Sequence, residues 1–282
     1  MIVELAIGDA YGAGFEYVSK KVVKEHNNLQ QYIQHSRHLS IKPGCYTDDT
    51  QMSLAIAELL IVDDEWVPEN IANFFVNAFK RDPREGYASR FYQFLTDIND
   101  GKQFLEQIKP YSDKSGAAMR AGPIGLLADE KQVVEYATIQ AKVTHDTPGG
   151  INSSVAAALM VHYCQYQLGD KQDLGNYLKS KVPGDWNTPW QGKVGHLGVD
   201  ATHAAVAAIV SNQDLSAILK QCVDYTGDVD TVATIALAAA SCSQGVNQDL
   251  PEELYSRLEN SQFGLKYLQK LDQKLSIAMG IG

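Results

Sequence analysis

The sequence predicts an all-α protein. Apolar residues recur at three- and four-residue spacing along most of the chain, as one face of a helix requires. Alternating β-branched runs, which would mark strands, are absent. Several apolar stretches are rich in alanine, the best helix former.

The first predicted helix covers residues 2–16, IVELAIGDAYGAGFE. Its small residues Ala6, Gly8, Ala10 and Gly12 let another backbone approach closely. Asp9 lies inside this apolar run and needs a partner, either as a structural acceptor of loop N–H groups or at a metal. Glu16 closes the run and reads equally as a surface acid. A polar segment follows, with a helix over about 20–34 and a loop ending at Pro43-Gly44.

Tyr46 to Leu60, YTDDTQMSLAIAELL, opens the next helix at about 47–62. Thr47 is placed as its N-cap, with Asp48 and Asp49 in the first turn. Asp63-Asp64-Glu65 reads as a solvated turn. Pro68 starts another helix, with Ile71, Phe74, Phe75 and Phe79 behind it. Arg81 to Tyr87 is a loop, and residues 88–98 resume a helix.

Ser115 to Leu127, SGAAMRAGPIGLL, packs three glycines and a proline into a short span whose only charge is Arg120. A Gly-rich turn beside a helix presents N–H groups to an anion; tight helix packing explains the same composition. A helix over 131–143 leads to VTHDTPGGINSS and then an apolar helix from Ile151 to Tyr166. His145, in that loop, reads first as a structural hydrogen-bonding residue. Residues 183–198 are rich in Gly and Pro and carry Trp186 and Trp190; irregular segments of this length often cover sites. Helices at Val199–Val210 and Leu215–Asp224 precede Thr226 to Ser241, TGDVDTVATIALAAAS, a buried helix with Asp228, Asp230 and Thr231 at its start. Leu254, Leu258, Leu265, Leu268, Leu271 and Leu275 continue at helical spacing.

The two acidic helix starts carry the chemistry. Carboxylates favour helix N-termini, where N–H groups are free. Each set alone is explained by capping. Together, four carboxylates and two or three hydroxyls would form an all-oxygen set suited to Mg²⁺, Mn²⁺ or Ca²⁺ rather than zinc. Their similarity, TDDT against DVDT, is too short to establish a duplication.

Composition narrows the classes. The net charge of −10 argues against a nucleic-acid-binding surface. Cys45, Cys164, Cys222 and Cys242 include no CxxC pair, which disfavours a zinc site and fits a reducing cytosol. No basic leader precedes an apolar core at the N-terminus, and no apolar run reaches membrane-spanning length. A cytoplasmic location without membrane association is expected.

Five motifs, in order, resemble the ADP-ribosylglycohydrolase family: GDAYGAGFE, YTDDTQM, SGAAMRAGPIGL, THDTPGG and TGDVDTVATIAL. The resemblance spans about residues 5–240. It implies a compact orthogonal helical bundle, one domain over 1–282, and a centre of two Mg²⁺ (or Mn²⁺). It implies Thr47, Asp48, Asp49, Asp228, Asp230 and Thr231 as metal ligands, with Asp9 supporting the first loop. Glu16 would be the acid at the mouth of the site, and Glu16, Asp48 or Asp49 the catalytic base. Ser115, Gly116 and Ala117 would contact the diphosphate, and His145 would lie beside the distal ribose. The implied activity is metal-dependent hydrolysis of the glycosidic bond between ADP-ribose and an acceptor, by a monomer. A non-catalytic ADP-ribose sensor, or an inactive structural protein on the same fold, is the alternative. Two departures stand out. Lys114-Ser115-Gly116-Ala117 lacks the family's Asn or further Gly. Thr226-Gly227 replaces a Gly pair, a mild change if Thr226 is not left-handed.

Overall fold

The structure is a computed structural model that describes residues 1–281. Fifteen α-helices and two 3₁₀ turns make up its regular structure. Extended pairing among the described residues is limited to isolated bridges. The expected all-α class is what the chain adopts.

The helices are α1 (Ile2–Ala13), α2 (Lys20–His26), α3 (Asp48–Val62), α4 (Pro68–Arg81) and α5 (Ser89–Asp97). They continue with α6 (Gly101–Gln107), α7 (Gly116–Met119), α8 (Glu130–Lys142), α9 (Pro148–Gln165) and α10 (Leu174–Lys181). The last are α11 (Gly198–Ser211), α12 (Leu215–Asp224), α13 (Val229–Ala240), α14 (Glu252–Ser256) and α15 (Leu265–Ala278).

Local chemistry sets these boundaries. The Thr47 hydroxyl accepts from Asp49 N at 3.4 Å and caps α3. α9 begins at Pro148 rather than Ile151, because Thr147 caps Gly150 N at 3.1 Å and Pro148 suits the first helical position. α2 ends at His26, well short of residue 34. The Asn27 side chain there donates to Lys220 O (2.9 Å) and Asp224 Oδ1 (2.8 Å), and Leu29 has φ 61°. Tying Asn27 to α12 turns the chain away from helix. α6 and α10 have no counterpart in the sequence reading; each is short. The Gly-rich segment is helical too, as α7 followed by a 3₁₀ turn over Gly122–Leu126.

α13 is the centre of the molecule. Every residue of it is buried, and it packs against α1, α9, α11 and α12. The small residues of α1 make this possible. A Cβ at Gly8 would sit 2.7 Å from Ala233 O, and one at Gly12 would run into Asp230 Cα. The two backbones therefore meet, which brings the start of α13 beside the end of α1. α3 packs on both and delivers its acidic first turn to the same place.

The C-terminal segment braces that first turn from behind. Arg84 pairs with Glu259, donates to Tyr46 O at 3.0 Å and lies 3.6 Å over the Tyr46 ring. The irregular 183–197 segment is anchored by buried Trp186, whose indole donates to Val182 O at 3.1 Å. Val194 then straddles Gly227. Its N–H donates to Thr226 O (2.9 Å), and its carbonyl accepts from Asp228 N (3.3 Å). This segment thus fixes the second acidic motif.

Candidate active site

Asp9 organises the first acidic turn. It is wholly buried and accepts four hydrogen bonds: from Thr47 N (2.9 Å), Thr47 Oγ1 (2.8 Å), Thr50 N (2.9 Å) and Thr50 Oγ1 (2.6 Å). Asp9 is therefore the structural acceptor of the two readings. By taking the Thr47 proton it leaves that hydroxyl as an acceptor only, with the Asp49 N–H already on one of its lone pairs.

Asp48 and Asp49 stand above this base. Burial first, then the neighbouring Asp9, raises the Asp48 carboxyl well above the ordinary range, with Glu16 and Asp228 adding to it. Burial likewise raises Asp49, followed by the charges of Asp48, Asp9 and Asp228; the nearby Thr231 hydroxyl opposes this. Across from them, Asp230 is raised by burial and then by Glu16, Asp228 and Asp49. Asp228 is pushed up to about 7, chiefly by burial and then by Glu16, with Ser115 opposing. The two motifs, far apart in sequence, meet in one cluster.

Like charges buried together need a counter-charge or protons. Two oxygens make the need specific. Asp49 Oδ2 and Asp230 Oδ1 are enclosed and have no hydrogen-bond partner. Carboxylate oxygens of Glu16, Asp228 and Asp230 lie within 4.8 Å of one another, close enough to share one cation. The donor set is all oxygen, with the Thr47 and Thr231 hydroxyls alongside, and it fits hard divalent cations. Glu16 is the partly exposed member of this group, its side chain 21% exposed beside buried Asp228 and Asp230.

The remaining predicted residues fall into two groups. Ser115 Oγ donates to Asp228 Oδ2 at 3.3 Å, joining the central loop to the second acidic motif. Gly116 abuts the His145 ring, where a Cβ would lie 2.9 Å from Cε1 and 3.2 Å from Nε2. Neither Gly116 nor Ala117 N–H finds an acceptor among the described residues. Ala117 itself faces the core; its side chain is buried and its carbonyl accepts from Gln140 Nε2 at 2.8 Å. His145 is buried, with Nδ1 2.6 Å from Thr144 Oγ1. Cys45 has no base beside it, and burial followed by Glu259 pushes its thiol up.

The profile of the family described as ADP-ribosylglycohydrolase matches residues 1–280. The chain belongs to this family. It is 26% identical over 269 residues to the ADP-ribosyl-[dinitrogen reductase] glycohydrolase of Rhodospirillum rubrum, covering 90% of this chain and 87% of that one. It is 23% identical to the human ADP-ribosylhydrolase ARH3, covering 87% and 84% of the two chains. A solved ADP-ribosylglycohydrolase-related protein complex shares the fold, with a TM-score of 0.73 at 20% identity over 99% of this chain and 96% of that one. No helix among the described residues is long and apolar enough to cross a membrane.

Two features escaped the sequence reading. His35 Nε2 lies 2.9 Å from Glu16 Oε2, while its Nδ1 accepts from Arg37 N (3.0 Å) and His38 N (3.2 Å). The ring therefore carries its proton on Nε2 and donates it to Glu16. Gly86, at φ 117°, backs Asp48; any Cβ there would strike Asp48 Oδ1. Thr226 departs from expectation in the other direction. Its φ of 62° is left-handed, so the Gly-to-Thr change is strained rather than mild.

Proposed function

We propose that the chain hydrolyses the glycosidic bond between ADP-ribose and an acceptor, a protein side chain or another ADP-ribosylated molecule. The observation that carries this reading is the pair of enclosed, unpartnered oxygens, Asp49 Oδ2 and Asp230 Oδ1, contributed by two motifs to one buried acidic cluster. Family membership supports the substrate class, because the relatives' names specify ADP-ribosyl hydrolysis.

Thr47, Asp48, Asp49, Asp228, Asp230 and Thr231 would hold two Mg²⁺ or Mn²⁺ ions, with Glu16 placed to join Asp228 and Asp230 on one of them. Such cations supply a template for ribose hydroxyls and Lewis acidity that eases deprotonation of water. The protein's own groups do the rest. One carboxylate among Glu16, Asp48 and Asp49 takes a proton from the water that attacks the anomeric carbon. The bond to the acceptor breaks, and the acceptor leaves with the electron pair and gains a proton. The surrounding carboxylates stabilise the oxocarbenium-like charge on the sugar. Ser115 keeps Asp228 oriented, and Asp9 keeps the first motif in register.

A panel of defined ADP-ribosyl linkages, including arginine and serine, each assayed with Mg²⁺ and with Mn²⁺, tests the proposal and identifies the acceptor. Release of free ADP-ribose from at least one substrate is expected. Binding of the panel without release contradicts hydrolysis and favours a sensor.

A further inference from the structure

Arg120 is an unusual residue for the interior of a helical bundle. It is 1% exposed, and no carboxylate among the described residues pairs with it. Neutral groups satisfy it instead. Nε donates to Gln140 Oε1 at 2.6 Å, and Nη2 donates to Gln140 O at 3.2 Å and to Thr144 Oγ1 at 2.7 Å. The Phe75 ring lies 4.3 Å from the guanidinium carbon. Gln140 is itself held, donating to Ala117 O (2.8 Å) and Ser154 Oγ (2.5 Å). A buried, unpaired cation is costly to keep, so its contacts call for a reason.

The reason lies two bonds away. A guanidinium has donors only, so Thr144 Oγ1 must accept from Arg120. The hydroxyl's single proton then goes to its other polar neighbour, His145 Nδ1, at 2.6 Å. The opposite arrangement has Nδ1–H donating to Thr144. It leaves the Thr144 proton buried without an acceptor, which costs about 1–3 kcal/mol. Nδ1 is thus the acceptor, and the imidazole proton sits on Nε2. That nitrogen has no hydrogen-bond partner among the described residues and is not an enclosed atom. It lies against Gly116, whose missing side chain leaves room beside it.

We propose that Arg120 and Thr144 are positioning residues that lock His145 as a neutral Nε2–H donor, aimed past Gly116 at an oxygen of the bound ADP-ribosyl group. The ligand half of this proposal rests on the function proposed above; the relay itself rests on geometry alone. Burial, then Arg120 and Lys114, holds the imidazolium form down to about 3, so the ring stays a fixed donor through the neutral range. His145 therefore orients substrate and does not shuttle protons.

The test is a long-range ¹H–¹⁵N correlation spectrum of the full chain with labelled histidine, with His145→Asn identifying the His145 signals. It is paired with calorimetric binding of free ADP-ribose in Mg²⁺. The wild type is expected to show His145 protonated on Nε2 only, unchanged from pH 7.5 to pH 5. Thr144→Val keeps the side chain's shape but removes the donor. It should move the Nδ1 resonance to that of an unbonded ring nitrogen and weaken ADP-ribose binding about fivefold. Thr144→Ser should restore both. A wild-type ring protonated on Nδ1, or on both nitrogens at pH 7, overturns the relay whatever the protein binds, and needs no variant to fold. Wild-type affinity in a folded Thr144→Val protein overturns the positioning role. A wild type that shows the Nε2–H signal but binds no ADP-ribose overturns the ligand assignment and the proposed function together, and leaves the relay standing.

Discussion

His35 Nε2 donates to Glu16 Oε2 across 2.9 Å, and this bond fixes one wall of the acidic cluster. The histidine is buried, and its other nitrogen is occupied by two backbone N–H groups. Glu16 cannot rotate freely while it accepts this proton. Its carboxylate is held toward Asp228 and Asp230, within 4.8 Å of both. Partners of this kind commonly set ligand orientation around metal sites.

His35→Leu should therefore lower the rate of ADP-ribose release by about 10–100-fold. It should also cost about 1–3 kcal/mol of stability, because the Arg37 and His38 N–H groups lose their acceptor. Initial-rate assays and urea titration separate the two effects. An unchanged rate in a folded variant contradicts the positioning of Glu16.

Thr226 carries backbone strain that a glycine would not. A left-handed β-branched residue costs about 1–2 kcal/mol, and glycine returns roughly 0.4–1 kcal/mol of that through a looser unfolded chain. Thr226→Gly is expected to stabilise the protein by up to about 1 kcal/mol, read as a higher urea midpoint at constant slope. A lower midpoint would show that the buried threonine side chain outweighs its backbone.

Gly12→Ala should act oppositely. The added methyl meets the Asp230 backbone, so α1 and α13 must separate. Overpacking of this sort costs about 1–3 kcal/mol. The shift falls at Asp230, so activity should drop further than the loss of stability accounts for. Comparison of melting temperature with specific activity, measured well below that temperature, checks this.

The four aspartates and two threonines were legible in the sequence because helix starts are local features, and local chemistry positions them. The closeness of α1 to α13 was legible for a similar reason, since Gly8 and Gly12 leave one helical face bare. His35 was not. Its role depends on the backbone N–H groups of Arg37 and His38 and on Glu16, nineteen residues earlier, and no spacing rule links them. Arg120 was visible only as a lone charge, since its partners Gln140 and Thr144 belong to another helix and its loop. The overextended reading of α2 failed because Asn27 takes tertiary partners on α12 that override the preceding helical pattern. The left-handed Thr226 is a backbone angle imposed by Val194 on either side of Gly227, and composition does not encode it.

His145 also makes a pH prediction. Its folded-state pKa is depressed to about 3 by burial, and then by Arg120 and Lys114, against an ordinary value of 6.5. Between those values the unfolded chain binds the extra proton, so stability rises with pH and is lost as pH falls. At pH 5 the His145 contribution amounts to roughly 2 kcal/mol of destabilisation relative to pH 8. His145→Gln should lose correspondingly less stability over that interval in urea titrations. An identical pH slope in both proteins contradicts the assignment.

The most direct measurement is release of free ADP-ribose from a susceptible ADP-ribosylated substrate, with Mg²⁺ or Mn²⁺ and again after chelation, for the wild type, Asp49→Ala and Asp230→Ala. The predicted result is release that depends on the cation and falls at least about 100-fold when either aspartate is removed, as loss of several kcal/mol of transition-state stabilisation requires. Near-normal, chelator-insensitive release by Asp230→Ala contradicts the account.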